Sequence, residues 1–365
     1  MPGLLILADD LAPDGPAAVL PRVVPAVVGR SRVGIAVLGR VMGPVADELI
    51  AAGLPPVSLP VRGLLDLAGL RQVRNWAAAF DPDLIHAIGP TACRIAALLR
   101  LPVVGLKRHS SLVVSGVTDC DGLFSRRAAR AAVRVLVDCE SDAARIWSAG
   151  VPAGHVTVIP PGITPPSAGL DPLDFRKSLG IPPAGRLIVA AGRFDPAADL
   201  KSAVWAFDVV KYVTPDVFLV LVGDGPERGR VERFARALGF DDYRVRFAGG
   251  RYEAASVFAL AEVVWVTHRR GGVTTALQSL AAGRPVVAVR TPELAEELTD
   301  RVSGRLVPQG DRVQLAAVTH ELLERPAAAA ALGAAGRAAV LDRFPAGRLA
   351  DAYTAVYHDL AGIGR

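Results

Sequence analysis

A glycine turn between a short strand and a helix is the part of this sequence whose residue types could do chemistry. Glu262 to Thr267 is a mostly apolar, β-branched run that predicts a buried parallel strand, and two glycines break it before a helical pattern begins. Backbone N–H groups at such a turn lie at the positive end of the helix dipole, where a phosphate can bind. The candidate phosphate-binding residues are Gly271, Gly272, Val273 and Thr274. A glycine turn that merely packs a Rossmann-like unit remains the structural alternative.

Short strand patterns alternate with helical patterns along both halves of the chain, which predicts two doubly wound α/β sheets. Ligands of open α/β sheets bind beyond the carboxyl ends of the strands, so two such domains facing each other would define a cleft. The predicted strands are Gly3–Ala8, Val33–Leu38, Asp83–His86, Pro102–Leu106, Arg134–Val137, Val156–Ile159, Arg186–Ala191, Val217–Val222, Arg244–Phe247, Glu262–Thr267, Pro285–Val289 and Gly304–Val307.

A proline-rich segment beginning at Pro160 separates the two series of strands and predicts a stiff interdomain linker. We therefore expect an N-terminal domain over residues 1–160, a linker over 161–170 and a C-terminal domain over 171–343. A closing helix over 344–365 is expected to return toward the N-terminal domain. The alanine-rich stretch from Ala327 to Ala339 predicts another helix.

Composition narrows the classes of protein to which the chain can belong. At 365 residues, with 51% hydrophobic and 21% charged residues, it can form two domains with cores of their own. No apolar run reaches the roughly 18 residues that a membrane span requires. The net charge of +5 suits anionic ligands or a membrane surface, and no aromatic-basic module indicates nucleic acid. Cys93, Cys120 and Cys139 form no CxxC pattern, which argues against disulfides or zinc and favours a reducing cytoplasm.

Several segments resemble motifs of the retaining family-4 glycosyltransferases of the GT-B fold, and they cover nearly the whole chain. Leu219–Glu227 contains a Gly-Asp-Gly-Pro-Glu run that matches the family's segment residue for residue. Arg270 to Ala288 has the frame of the family's donor-site signature, in which a Glu-x7-Glu pair flanks a glycine-rich turn. The other similar segments are Pro82–Ala87, Val158–Ile163, Ile188–Phe194, Val245–Gly249 and Asp351–Tyr357.

The resemblance implies two Rossmann-like domains facing across a cleft, an acceptor-side N-terminal domain and a nucleotide-sugar C-terminal domain. It implies hexosyl transfer with retention, without cofactor or metal, because the family grips the donor diphosphate with an Arg and a Lys. Arg193 occupies the Arg position and Ala198 the Lys position. Lys201, one helical turn further, is the candidate replacement, with a solvated helix residue as the alternative. Gly223, which opens the Gly-Asp-Gly-Pro-Glu run, is placed in the same donor site.

The sequence departs from the family at both Glu positions, which Arg270 and Gln278 occupy. In the family the first Glu lies against the donor sugar and the second holds the ribose hydroxyls. Gln278 could still accept one hydrogen bond through its carbonyl oxygen, whereas Arg270 can accept none. Arg270 could instead contact a phosphate, a sugar carboxylate or an acidic residue, or point into water.

The acceptor side also departs from the family's pattern. A Pro-Asp-Gly-Pro run stands where members often carry a Gly-Gly-x-Glu loop, so Asp14 and Gly15 are the acceptor-side candidates. His109 follows a Pro-Val-Val strand, one residue off the commonest spacing; with Arg270 it is a candidate catalytic residue, predicted to contact the donor sugar, or else it is structural. His86 is a third acceptor-side candidate, although Ile88 stands where a partner His is common. The remaining histidines are interpreted as surface or packing residues: His155, His268, His320 and His358.

Two basic stretches bear on the acceptor. Arg62 to Trp76 alternates basic and apolar residues at near-helical spacing, and Arg126, Arg130 and Arg134 are spaced to share one helix face. They predict either a membrane-docking surface for a lipid-linked acceptor or an ordinary solvated face. The expected partners are a nucleotide-sugar and a sugar, lipid-linked or small-molecule acceptor, in the cytoplasm or at the inner face of the membrane.

Two classes of function remain open from the sequence. The first is a glycosyltransferase that positions donor and acceptor and neutralises the leaving diphosphate. The second is a catalytically weakened relative that binds a nucleotide, a sugar or a partner, because fold alone does not fix function.

Overall fold

The computed structural model describes residues 1–12, 15–29, 31–39, 41, 43–99, 110–116, 123–166, 169–239, 244–250 and 252–361. The chain divides into two compact units. Met1–Gly162 and Ala346–Arg365 form the N-terminal unit, and Ile163–Pro345 forms the C-terminal unit. Each unit contains one parallel sheet, which confirms the two doubly wound sheets predicted from the alternating patterns.

The N-terminal unit is built on a seven-stranded parallel sheet. Its strands are β1 (Gly3–Ala8), β2 (Arg32–Val37), β3 (Val57–Ser58), β4 (Leu84–Ile88), β5 (Ser111–Ser115), β6 (Arg134–Val137) and β7 (Val156–Val158). Its helices up to this point are α1 (Leu20–Val27), α2 (Pro44–Ala51), α3 (Leu67–Phe80), α4 (Pro90–Leu99), α5 (Leu123–Ala131) and α6 (Glu140–Ser148). The strand order is β3-β2-β1-β4-β5-β6-β7. Strands β1 and β4 are buried along their whole length; β1 is continuously apolar, and His86 is the single polar residue of β4.

The C-terminal unit contains a six-stranded parallel sheet. Its strands are β8 (Arg186–Ala191), β9 (Val217–Val222), β10 (Val245–Gly249), β11 (Val263–Val266), β12 (Val286–Val289) and β13 (Arg305–Val307). Its helices are α7 (Pro172–Ser178), α8 (Leu200–Val213), α9 (Arg228–Ala237), α10 (Ala254–Phe258), α11 (Val273–Ala281), α12 (Pro292–Glu297), α13 (Arg312–Glu324) and α14 (Pro326–Arg343). The order β10-β9-β8-β11-β12-β13 reverses its direction between β8 and β11. The carboxyl ends of these two strands are the switch point at which such sheets bind ligands.

The closing helix α15 (Ala346–Ala361) belongs to the N-terminal unit. It packs on α1, and its buried side chains Leu349, Tyr353 and Tyr357 join the core that contains Leu4 and Ile6 of β1. The last helix of the sequence therefore completes the hydrophobic core of the first unit.

Strand prediction succeeded where an apolar run has clear ends. The bounds of β1, β6, β8 and β9 are those predicted, and the predicted alanine-rich helix lies within α14. Strand β5, which pairs with β4 and β6, was not predicted, while the predicted strand at Pro102–Leu106 lies outside the described residues. Two apolar runs of similar length stand close together in this part of the sequence, and periodicity alone does not choose between them.

Candidate functional site

The loops that follow β8 and β11 meet at the switch point of the C-terminal sheet. The hydroxyl of Thr267 donates to the carbonyl oxygen of Ala198 at 2.8 Å, and the N–H of Arg269 donates to the carbonyl oxygen of Ala197 at 2.8 Å. Ala198, at the family's Lys position, is 1% exposed. These two hydrogen bonds hold the loops together.

The loop after β8 is organised by Asp195. One carboxylate oxygen accepts hydrogen bonds from the N–H groups of Ala197 at 2.9 Å and Ala198 at 3.0 Å. The other oxygen lies 4.0 Å from Nε of Arg193, whose side chain is 45% exposed. A carboxylate that accepts hydrogen bonds from the N–H groups of the residues that follow it fixes the turn. The guanidinium of Arg193 remains at the surface of the site.

The glycine turn after β11 leads directly into α11. Gly272 is the N-cap of α11, has φ +82°, and provides no side chain to cap the helix. The first turn of α11 contains no acidic residue, so its N–H groups and dipole can attract an anion. Val273 is buried, whereas Arg270, Gly271, Thr274 and Gln278 are half-buried. The structure therefore brings the predicted glycine-turn residues to one helix N-terminus, on a loop that is hydrogen-bonded to the loop containing Arg193.

His268 lies between the two turns. A Cβ atom at Gly192 would lie 3.0 Å from its Cε1 and Nε2, and a Cβ at Gly272 would lie 2.6 Å from its Cγ. Both glycines have positive φ, so their backbone conformation and their contact with the ring favour glycine. Burial lowers the pKa of His268 to about 4, and the nearby Asp195 carboxylate partly offsets this effect. The ring is therefore neutral at physiological pH.

His268 was predicted to be a surface or packing residue, and its buried ring does pack, against the two glycine turns. His268 was interpreted in this way because no second metal ligand lies at a suitable spacing in the sequence. That criterion does not detect a histidine that contacts glycine turns. The available signal was its position directly after the apolar β11 run, at the carboxyl end of a switch-point strand.

A third turn, after β9, packs on the first loop. The N–H of Gly223 donates to the carbonyl oxygen of Gly249 at 3.1 Å, and the N–H of Glu227 donates to the carbonyl oxygen of Phe194 at 2.8 Å. A Cβ at Gly225 would lie 2.7 Å from the carbonyl oxygen of Phe194. The Gly-Asp-Gly-Pro-Glu run thus supports the loop that presents Arg193, and the role of Gly223 as a ligand contact stays a prediction.

Lys201 has a structural partner in the C-terminal unit. Its ammonium lies 4.5 Å above the ring of Phe234 on α9, and the residue is exposed. This placement agrees with the solvated-helix alternative, and a part for Lys201 in diphosphate binding stays a prediction.

In the N-terminal unit a carboxylate of the chain itself occupies the corresponding helix N-terminus. Asp9, which follows β1, accepts hydrogen bonds from the N–H groups of Thr91, at 3.0 Å, and Ala92 in the first turn of α4. Burial raises the pKa of Asp9, and these two hydrogen bonds partly lower it again. A second anion would be repelled there, so of the two switch points the one in the C-terminal unit suits a phosphate.

The acceptor-side candidates are not brought together by the described residues. The acceptor-side prediction for His86 is corrected, because this residue is fully buried and both of its ring nitrogens have partners. Nδ1 lies 2.7 Å from the hydroxyl of Tyr357, and Nε2 lies 2.9 Å from that of Ser115. Burial lowers the pKa of His86 to about 3. His86 ties α15 to β4 and β5 and has no nitrogen left for an acceptor.

The other acceptor-side and sugar-side candidates stay predictions. Gly15 is described and immediately precedes a short helical turn that begins at Pro16. Asp14 and His109 lie outside the described residues.

The predicted shared face of three arginines is wrong. Arg126 and Arg130 lie on α5, but Arg134 begins β6 and forms an ion pair with Asp359 at 3.0 Å. Arg130 donates to the carbonyl oxygen of Ala149 at 2.8 Å. Strand β6 starts only three residues after α5 ends, so helical spacing does not extend across the junction.

In the part of the chain that the structure describes, no group of three or more His, Cys, Asp or Glu side chains could hold a metal ion. The prediction that the donor is bound without a metal stays a prediction. No described helix combines the length and the apolar character that crossing a membrane requires.

The two parallel sheets define a fold class, and comparisons with solved structures show that it is the GT-B fold. The structure of Anabaena HepE in complex with UDP and glucose superposes with a TM-score of 0.80 at 19% identity, covering 98% of this chain and 100% of that one. WaaG, a glycosyltransferase of lipopolysaccharide biosynthesis, superposes with a TM-score of 0.73 at 17% identity, covering 96% and 98%.

Family models agree with the structural comparison. Residues 32–165 match the model described as Glycosyltransferase Family 4, and residues 185–325 match the model described as Glycosyl transferases group 1. The chain therefore belongs to the family-4, group 1 glycosyltransferases, as the sequence motifs predicted.

Curated relatives are more similar in sequence than these solved structures, over part of their length. The phosphatidyl-myo-inositol mannosyltransferase of Mycolicibacterium smegmatis is 27% identical over 292 residues, which are 76% of this chain and 72% of the relative. The lipopolysaccharide core biosynthesis glycosyltransferase LpsD of Rhizobium meliloti is 31% identical over 180 residues, or 49% of this chain. That match spans about half of LpsD, at 51%.

Proposed function

We propose that this chain transfers a sugar from a nucleotide-sugar donor to an acceptor hydroxyl, with the donor diphosphate bound at the switch point of the C-terminal unit. The observation that supports the proposal is the pair of hydrogen bonds that tie the loop containing Arg193 to the loop leading into the open N-terminus of α11. Related structures with the same fold contain UDP, UDP with glucose, and UDP-glucose. These support a nucleoside diphosphate as the bound group.

In this reaction the bond between the anomeric carbon and the phosphate oxygen breaks, and a bond to the acceptor oxygen forms. The acceptor hydroxyl gives its proton to a phosphate oxygen of the leaving group or to water, and the nucleoside diphosphate leaves with the electron pair of the broken bond. Positioning and stabilisation of that charge supply most of the rate enhancement when no covalent chemistry falls to the protein. Arg193 and the N–H groups of Val273 and Thr274 are the groups we assign to the diphosphate. Retention of configuration rests on the family resemblance.

Charge at the motif positions sets this chain apart from the family pattern. The net charge at the four motif positions is +2 in this chain, which has Arg193, Ala198, Arg270 and Gln278 there. The family's Arg, Lys, Glu and Glu at the same positions carry charges that sum to zero. Neutralisation of the diphosphate is therefore retained, while the carboxylates that hold ribose and sugar in the family are lost.

The acceptor is proposed from the names of relatives. The mannosyltransferase acts on phosphatidyl-myo-inositol, another relative is a D-inositol 3-phosphate glycosyltransferase, and LpsD acts in lipopolysaccharide core biosynthesis. We expect a hydroxylated acceptor that is a sugar, a small polyol or lipid-linked, with contact to the inner membrane face in the last case. Asp14, Gly15 and His109 stay predictions for the acceptor and sugar side.

Turnover of nucleotide-sugars tests the proposal. Wild-type protein is incubated with UDP-, GDP- and ADP-linked hexoses, with and without polyol and lipid acceptors, and release of the nucleoside diphosphate is measured. Release above the uncatalysed rate with at least one donor is expected, and no release with any donor would contradict the proposal.

The matched variants Arg270→Glu and Gln278→Glu separate two interpretations of the missing carboxylates. If the wild-type residues are losses, both variants raise the rate. If Arg270 contacts an anionic donor or acceptor, Arg270→Glu abolishes turnover while Gln278→Glu does not. Unchanged rates in both variants would contradict a ligand site at this turn.

A further inference from the structure

One nitrogen at the candidate site has no hydrogen-bond partner. His268 is 8% exposed, and its Nδ1 is buried without a partner among the described residues. Buried polar atoms in native proteins are nearly always paired, so this exception needs an explanation in the molecule's working state. The ring that carries this atom packs against Gly192 and Gly272, one from each loop of the candidate donor site.

The surroundings of the ring favour an anionic partner. Gly272 caps α11 without a side chain, so the backbone there presents hydrogen-bond donors and the positive end of the helix dipole. Asp195 faces the ring, but one of its oxygens is bonded to the N–H groups of Ala197 and Ala198. Arg193 and Arg270 lie on the adjoining loop positions and add positive charge. An oxygen anion is the group that this environment attracts.

We propose that His268 is a further donor-binding residue, whose Nδ1–H donates a hydrogen bond to an anionic oxygen held at the N-terminus of α11. The inference rests on the proposed function, because the anion is the donor's diphosphate. A neutral imidazole carries one N–H, and a bound oxygen at this position selects the tautomer with the proton on Nδ1. Gly272, which packs against the ring at Cγ, has no side chain, so the turn can move over the ring without any rotamer change.

His268→Asn and His268→Leu form a matched pair that tests this bond. The two replacements have similar volume, but only the Asn amide provides an N–H near the position of Nδ1. Dissociation constants for UDP, GDP and ADP are measured by calorimetry for the wild type and both variants. We expect His268→Asn to bind the preferred nucleotide within about threefold of the wild type, and His268→Leu to bind it at least tenfold more weakly.

Equal affinities in the two variants, whether both are retained or both are lost, would overturn the proposal and leave His268 as a spacer between the turns. A wild-type protein that binds none of the three nucleotides would instead refute the proposed function. The two failures are therefore distinguishable.

A spectroscopic measurement on the wild type covers the case in which the Leu variant does not fold. In protein with ¹⁵N-labelled histidine, the Nδ1 signal of His268, assigned by its absence in His268→Asn, is followed during nucleotide titration. We expect saturation to move this signal to the range of a protonated, hydrogen-bonded nitrogen. An Nδ1 signal that does not change while the nucleotide binds would overturn the proposal.

Discussion

Removal of the Arg193 side chain should separate nucleotide affinity from folding stability. Its Nε lies 4.0 Å from Asp195, and its side chain is 45% exposed, so this ion pair contributes only about 0–1 kcal/mol to stability. A charge-assisted hydrogen bond to a phosphate oxygen is worth about 1.5–3 kcal/mol. Arg193→Ala should therefore weaken nucleoside diphosphate binding by roughly 10- to 150-fold with little loss of stability.

The matched control is Arg325→Ala, which removes the same charge from another exposed ion pair. Arg325 is 70% exposed and lies 3.5 Å from Glu321, near the end of α13. That end of α13 lies at the amino end of β8, because Arg186 donates to the carbonyl oxygen of Leu323 at 2.7 Å. The control should change affinity by less than about twofold.

Calorimetric titration with UDP, GDP and ADP measures the affinities, and thermal unfolding measures stability. Affinity that is unchanged in Arg193→Ala, or that falls equally in Arg325→Ala, would refute the assignment of Arg193 to the diphosphate. Unchanged affinity in Arg193→Ala would show that the donor diphosphate does not bind at this loop. An equal loss in Arg325→Ala would indicate a general effect of net charge.

Three further predictions concern single side chains. Lys201→Ala should lower stability by about 0.5–1 kcal/mol through loss of the contact with Phe234, and leave UDP affinity unchanged; an affinity loss like that of Arg193→Ala would contradict this placement. Gln278→Glu should strengthen nucleotide binding by about 1 kcal/mol, because a carboxylate accepts stronger hydrogen bonds from ribose hydroxyls, and calorimetry would show weaker or equal binding if Gln278 is remote from the ribose. His86 has a folded pKa of about 3, below its usual 6.5, so its contribution to stability is present above pH 6.5 and is lost as the pH falls toward 3. Between pH 7 and pH 5, the free energy of unfolding measured with urea should fall by about 2 kcal/mol more in the wild type than in His86→Gln. An equal pH dependence in both proteins would contradict the buried neutral ring.

The sequence predicts the elements that position the candidate site because their signals are local. Strands β8 and β9 are continuous apolar runs that end at glycine, so their bounds follow from a few residues. The glycine turn before α11 is equally local, since two glycines interrupt a strand and a helical pattern follows. Strand β3, with two exposed residues, has no apolar pattern to detect.

Other features depend on residues far apart in the chain, and the sequence does not predict them. His86 and Tyr357 are 271 residues apart, so nothing near His86 indicates that its nitrogens are already bonded. Asp9 reaches the start of α4 across 82 residues, and its pairing with Thr91 closes the N-terminal switch point to anions. His268 becomes notable only because Gly192 and Gly272, from two different loops, contact its ring. Tertiary packing decides which polar side chains remain available for a ligand.

A crystal structure of the chain with its preferred nucleoside diphosphate tests the central claim most directly. We expect the diphosphate oxygens to lie within hydrogen-bond distance of the N–H groups of Val273 and Thr274 and of the guanidinium of Arg193. A diphosphate bound at the start of α4 beside Asp9, or anywhere else away from the glycine turn, would contradict the account.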